Sequence, residues 1–143
     1  MKFLDTSIIV EAGLEKSANL PKCVQILEAI GQDRENAVTS VFTIAELYHI
    51  LYAREKLGKE KVRRIAKAVF DCAGLEIIEA KPVHAQEALE LALEFEIDFV
   101  DAVNRILMEE NGITEIYSLD SHFDRFKGIK RLSSLPSASK HFK

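Results

Sequence analysis

Residues 98–120 read DFVDAVNRILMEENGITEIYSLD, and this stretch decides the fold class. Phe99–Glu110 reads as a helix closed by Asn111-Gly112, a pair suited to the left-handed turn on which helices commonly stop. Ile113–Leu119 then reads as a strand, with Asp120 at its carboxyl end. Asp98-Phe99-Val100-Asp101 opens the helix with the spacing of a cap, Asp98 at the boundary and Asp101 at the third helical position. A helix that hands the chain to a short apolar strand is the repeating unit of α/β proteins.

The same alternation runs outward in both directions. Lys2–Leu4 reads as a strand and Thr6–Gly13 as a short helical segment. Pro21 opens a helix over Lys22–Ile30, which Gly31 leaves. Ala37–Thr39 is a second strand. A long helix follows with Ile44, Leu47, Tyr48, Leu51 and Tyr52 on one face, up to Gly58. Lys59–Ala73 reads as a basic amphipathic helix, and Gly74 introduces the buried strand Leu75–Ile78. Pro82 starts a helix through Phe95 that carries Ala85, Ala88, Leu89 and Ala92 inward. Asp120–Phe126 is a turn or short helix, and Lys130–Leu132 a last strand. Strands separated by helices predict an α/β three-layer sandwich, a mostly parallel central sheet flanked by helices. With no repeat, linker or low-complexity stretch, residues 1–132 read as one domain and 133–143 as a polar tail.

Bulk properties exclude several classes. The chain has 143 residues, 48% hydrophobic and 29% charged, the balance of a globular domain rather than a disordered or fibrous one. No apolar run approaches the roughly 20 residues that span a bilayer. An acid at Asp5 comes too early for a signal peptide, so a cytoplasmic protein without a membrane partner is expected. Cys23 and Cys72 read as buried thiols of a reducing compartment, with a disulfide between them as the alternative. A net charge of −4 speaks against a broad basic face that coats nucleic acid, but not against an enzyme whose acids gather around a cation. Basic residues crowd two segments: Lys56, Lys59, Lys61, Arg63, Arg64 and Lys67, then Lys127, Lys130 and Arg131. Each run reads as a solvated face, with phosphate contact as the sharper possibility.

Ligands of an open parallel sheet bind beyond the carboxyl ends of its strands. Asp5, Glu46, Asp101 and Asp120 all fall there or in the first turns of the helices that follow. Singly, each has a plain structural explanation. Asp5 and Asp120 suit helix caps or turns. Thr43-Ile44-Ala45-Glu46 has the spacing of a capping box. Together they suit a hard divalent cation, which demands oxygen ligands and relieves the repulsion between clustered acids. His49, His84, His122 and His141 lack ligand spacing and read as surface or structural residues.

Four segments carry a family resemblance: Phe3-Leu4-Asp5-Thr6-Ser7, Thr43-Ile44-Ala45-Glu46-Leu47, Asp98-Phe99-Val100-Asp101-Ala102, and Tyr117-Ser118-Leu119-Asp120-Ser121-His122-Phe123. In this order and spacing the chain resembles the PIN-domain family, and within it the VapC toxins of VapBC toxin–antitoxin pairs and their archaeal relatives. The resemblance implies a PIN-like (Rossmann-like) fold and a Mg²⁺- or Mn²⁺-dependent endoribonuclease. It implies Asp5, Glu46, Asp101 and Asp120 as catalytic metal-binding acids, with Ser118 orienting them and Thr6 or Ser7 supporting the Asp5 loop. Asp98 is read as a supporting cap, with a fifth acid near the metal, or exchange of roles between Asp98 and Asp101, as the alternatives. Implied partners are an RNA substrate, a cognate antitoxin and a second copy of the chain, with the helices around Ile44–Ala73 as interface. The alternatives within the family are an RNA-processing nuclease without an antitoxin and a PIN-fold scaffold that binds RNA or protein. An aspartyl phosphatase would want a second Asp where Ser7 stands, and a receiver domain would want an acidic pair after the first strand.

Overall fold

The strands and helices follow one another in the predicted order. The computed structural model describes residues 1–136, so His141 and the expected tail beyond Pro136 lie outside the described residues. The order is β1 (Lys2–Leu4), α1 (Thr6–Ala12), α2 (Leu20–Gly31), β2 (Ala37–Ser40) and α3 (Val41–Leu47). A π-helical segment, Tyr48–Arg54, continues α3. Then come α4 (Lys59–Phe70), β3 (Leu75–Ile78), α5 (Pro82–Phe95), α6 (Phe99–Glu110), β4 (Glu115–Tyr117), a 3₁₀ turn (Ser121–Arg125) and β5 (Lys130–Leu132).

All strand pairs are parallel, in the order β3-β2-β1-β4-β5. Successive strand residues point to opposite faces, and the core divides accordingly. Leu4, Ala37 and Tyr117 join Ile8, Ile26 and Leu51 on one face, where α1, α2 and α4 pack. Phe3, Val38 and Ile116 join Val103, Leu107 and Met108 on the other, beneath α5 and α6. The three-layer α/β sandwich is thus observed. Leaving β1, the chain builds outward through β2 and β3, then returns to the other side of β1 for β4 and β5. The direction of winding therefore reverses between β1 and β4, the switch point where such sheets open a binding crevice.

Several local expectations are corrected. Leu89 is 50% exposed rather than inward. His84, Ala88 and Ala92, four residues apart, take the inner face of α5, and Leu89 lies about 100° round from Ala88. Tyr48 is 53% exposed, lying about 100° round the helix from the buried Leu47. The strand expected over Ile113–Leu119 shortens to Glu115–Tyr117: Ile113 N still closes α6 on Met108 O (2.8 Å), and Leu119 N is taken by Ser7 Oγ (3.0 Å). Helix α4 stops at Phe70 rather than Ala73, as the chain turns into β3 at Gly74. There the backbone presses on the end of α2, with Gly74 N donating to Ile30 O at 3.0 Å. Cys23 and Cys72 are free thiols, and Cys72 is only partly buried. Leu135, within the expected tail, packs against the core. Among the described residues no helix is long and apolar enough to cross a membrane.

Candidate active site

Asp5 follows β1 and occupies the boundary position of α1 in extended conformation, yet its side chain caps nothing there. Its Oδ2 accepts from Ser7 Oγ and from Ser118 Oγ, both at 2.7 Å. Ser118, directly after β4, is fully buried, and its Oγ also accepts from Asp120 N at 3.0 Å. Two hydroxyls therefore lock Asp5 to the neighbouring strand exit. Beneath them, Thr39 Oγ1 donates to Leu4 O (2.8 Å) and lies 2.7 Å from Thr43 Oγ1, tying the end of β1 to the first turn of α3.

The capping-box reading of Thr43–Glu46 does not hold. Helix α3 begins at Val41 and Ser40 caps it, accepting from Phe42 N at 3.2 Å. Glu46, one turn further on, is free to accept from Thr6 Oγ1 at 2.5 Å. Asp98 is the cap of α6, its Oδ1 accepting from Val100 N (2.9 Å) and Asp101 N (3.4 Å). Asp101 is left to point elsewhere, and among the described residues no hydrogen bond reaches its carboxylate. Asp120 does cap the 3₁₀ turn, through His122 N at 2.9 Å.

These residues line one cavity of about 430 Å³ at the switch point: Asp5, Thr6, Ser7, Glu46, Asp98, Asp101 and Asp120. Ser118 lies just behind, on Asp5. Burial pushes the Asp101 carboxyl up to about 8, and the charges of Asp5, Asp120, Asp98 and Glu46 add to it. Burial pushes Glu46 up to about 7; the Thr6 bond works against this, and Asp5, Asp98 and Asp120 work with it. Asp5 is raised by burial, partly offset by the Ser118 and Ser7 hydroxyls. Burial is thus the first cause of the rise in all three carboxyls, and mutual repulsion adds to it.

Such a set lacks positive charge at its centre, and its donors suit a divalent cation. Oxygen atoms of Asp101 and Asp120 and a ring nitrogen of His122 lie within 4.8 Å of one another. Ligands on opposite sides of one Mg²⁺ stand about 4 Å apart, so small side-chain adjustments would close the set.

His122, read from the sequence as a surface or structural residue, stands with Nδ1 3.0 Å from Asp120 Oδ1. Its place two residues after Asp120 was the available signal. Arg54 and Arg125 also line the cavity and were not singled out from the sequence. The basic run on α4 does not line it. His84 is structural: Nδ1 accepts from Lys81 N (2.9 Å) and Nε2 meets Glu110 at 2.6 Å.

No curated protein matches the chain in sequence. Among solved structures, VapC20 of Mycobacterium tuberculosis, described as a sarcin–ricin loop cleaving toxin, superposes with a TM-score of 0.71 at 19% identity, covering 87% of this chain and 93% of that one. A toxin–antitoxin complex from Klebsiella pneumoniae gives 0.64 at 17% identity, covering 91% and 96%. VapBC2 of Rickettsia felis, bound to a DNA fragment from its promoter, gives 0.63 at 18%, covering 92% and 96%. Likeness at these identities establishes the fold. The PIN domain profile matches residues 2–129, from the first strand past the last of the clustered acids, and the chain therefore belongs to the PIN domain family.

Proposed function

We propose that this PIN domain is a metal-dependent endoribonuclease and the toxin half of a VapBC-type pair. The observation that carries the reading is the convergence of Asp5, Glu46, Asp101 and Asp120 on one cavity at the β1/β4 switch point, with three of the four carboxyls pushed up by burial and crowding. The toxin reading draws support from the VapC toxin and the toxin–antitoxin complexes that share the fold.

Asp5, Asp101, Asp120 and Glu46 would hold one or two Mg²⁺ or Mn²⁺ ions. When bound, the cation supplies Lewis acidity, lowering the pKa of the attacking water and neutralising charge on the phosphate. Glu46 either joins them on a second cation or accepts the proton of that water, while Thr6 fixes the orientation of its carboxyl. Ser7 and Ser118 fix Asp5, and Asp98 fixes the start of α6 and with it Asp101. Residues 1–132 would constitute the nuclease domain. Sedimentation with and without a co-expressed antitoxin tests the expected homodimer and its partner.

The deciding experiment is cleavage of a mixed RNA pool by the purified protein in Mn²⁺, Mg²⁺ or EDTA, beside Asp5→Asn and Asp101→Asn. Cleavage should require metal and fall at least 100-fold in both variants, with the fold retained by circular dichroism. Full metal-dependent activity in either variant overturns the assignment of these acids.

A further inference from the structure

Seven carboxylates line the acidic cavity, against two permanently cationic side chains, Arg54 and Arg125. An RNA strand carries one negative charge per phosphate. A cation at the acidic centre would serve the scissile phosphate, but the phosphates on either side of it would meet the remaining acids.

Arg54 reaches the cavity through an unusual winding of the backbone. Glu46, Ile50 and Arg54, spaced by four, all line it. On a regular α-helix eight residues overshoot two turns by about 80°, which would carry Arg54 away from the Glu46 side. From Tyr48 the helix is π-wound instead: Glu55 N bonds Ile50 O, five residues back, at 2.8 Å. The wider turn rotates less per residue and takes back the overshoot, in keeping with the concentration of π segments at functional sites. The Arg54 side chain is 69% exposed, and its ion pair is an edge contact at 3.8 Å with its chain neighbour Glu55.

Arg125 ends the 3₁₀ turn that follows β4. One guanidinium nitrogen donates to Phe95 O at 3.3 Å, at the end of α5, and the guanidinium has five N–H donors in all. Arg54 comes from the chain after β2 and Arg125 from the chain after β4, the two strands that flank β1 and Asp5. The basic run of α4, in contrast, contributes no residue to the cavity lining, and three of its members pair with neighbours: Arg63 with Glu60, Lys67 with Asp71, and Lys61 with Glu15 at 3.6 Å.

We propose that Arg54 and Arg125 clamp the RNA backbone, binding phosphates that flank the scissile one. The clamp rests on the nuclease reading above and assigns to it two substrate-binding residues.

The test is fluorescence anisotropy of a labelled single-stranded RNA pool in Ca²⁺, titrated at several salt concentrations, with cleavage kinetics in Mn²⁺ alongside. Arg54→Ala and Arg125→Ala should each weaken binding about 3- to 10-fold and lower the slope of log K against log salt by about 0.7, the value for one lost phosphate contact on a single strand. KM should rise with kcat nearly unchanged. Arg54→Lys should keep the slope while losing part of the affinity, since an ammonium keeps the charge without the planar fork. Arg64→Ala on α4, which alters net charge equally, should leave the slope unchanged, and Mn²⁺ affinity by calorimetry should not fall in any variant. Wild-type slope and KM in both alanine variants, with wild-type cleavage intact, overturn the clamp and leave the nuclease standing. A wild-type protein that neither binds nor cuts the RNA pool overturns both.

Discussion

Asp101 shows most directly how one residue can be placed for chemistry at the expense of stability. Its backbone amide is served by the Asp98 cap, while its carboxyl is buried among other acids and pushed up to about 8. In the unfolded chain the same carboxyl titrates near 4. Between those values the folded protein holds more protons than the unfolded one, so stability falls as pH rises. For Asp101 and Glu46 the contribution is fully present below about pH 4 and is lost through pH 7–8. Urea unfolding in EDTA should therefore give a lower midpoint at pH 8.5 than at pH 6. Asp101→Asn should flatten that difference and be the steadier protein at pH 8.5. A wild-type midpoint that is level or rises over this interval would refute the electrostatic description of the site.

At the scale of elements, tight junctions set where helices stop and strands begin. Gly74 joins the exit of α4 to β3, and its amide and carbonyl bridge Ile30 O and Ala37 N, at 3.0 and 2.9 Å. A Cβ at this position would stand 2.3 Å from Ile30 O and 2.6 Å from Glu35 O, both backbone atoms that cannot swing aside. Gly74→Ala should cost more than about 2 kcal/mol, in the range of severe overpacking, and show as a clear drop in the urea midpoint. An unchanged midpoint would mean that the β2–β3 edge yields more easily than its packing indicates. The π segment is a junction of another kind, for it turns a helix that begins beneath the sheet's crevice so that its far end still faces the cavity.

For the molecule as a whole, folding gathers acids from distant parts of the chain, and cation binding should act back on folding. Mn²⁺ at 100 times its dissociation constant should stabilise the protein by about 2.7 kcal/mol, roughly 5–10 °C in melting temperature. The gain should shrink sharply in Asp101→Asn, as read by calorimetry; an equal gain in that variant would place the binding elsewhere. The alternation of strands and helices was legible in the sequence because local periodicity, Pro and Gly punctuation and the Asp98 cap act over a few residues. The four acids were legible for the same reason, since strand exits can be recognised from neighbouring apolar runs. Three features depended on the tertiary structure. The Ser7–Asp5–Ser118 lock spans 111 positions of sequence between its serines. Glu46 gave up a local capping role for Thr6 because Ser40 already starts α3. Arg54 joins the cavity through the π winding that follows α3. The sequence by itself determined the α/β class and marked Asp5, Glu46, Asp101 and Asp120 at strand exits and helix starts, while Glu11 and Glu96 join the cavity only through the fold. Only the tertiary structure decided which acids lose their solvent and which cations stand beside them, because burial and charge proximity are properties of the packed chain rather than of any segment of it.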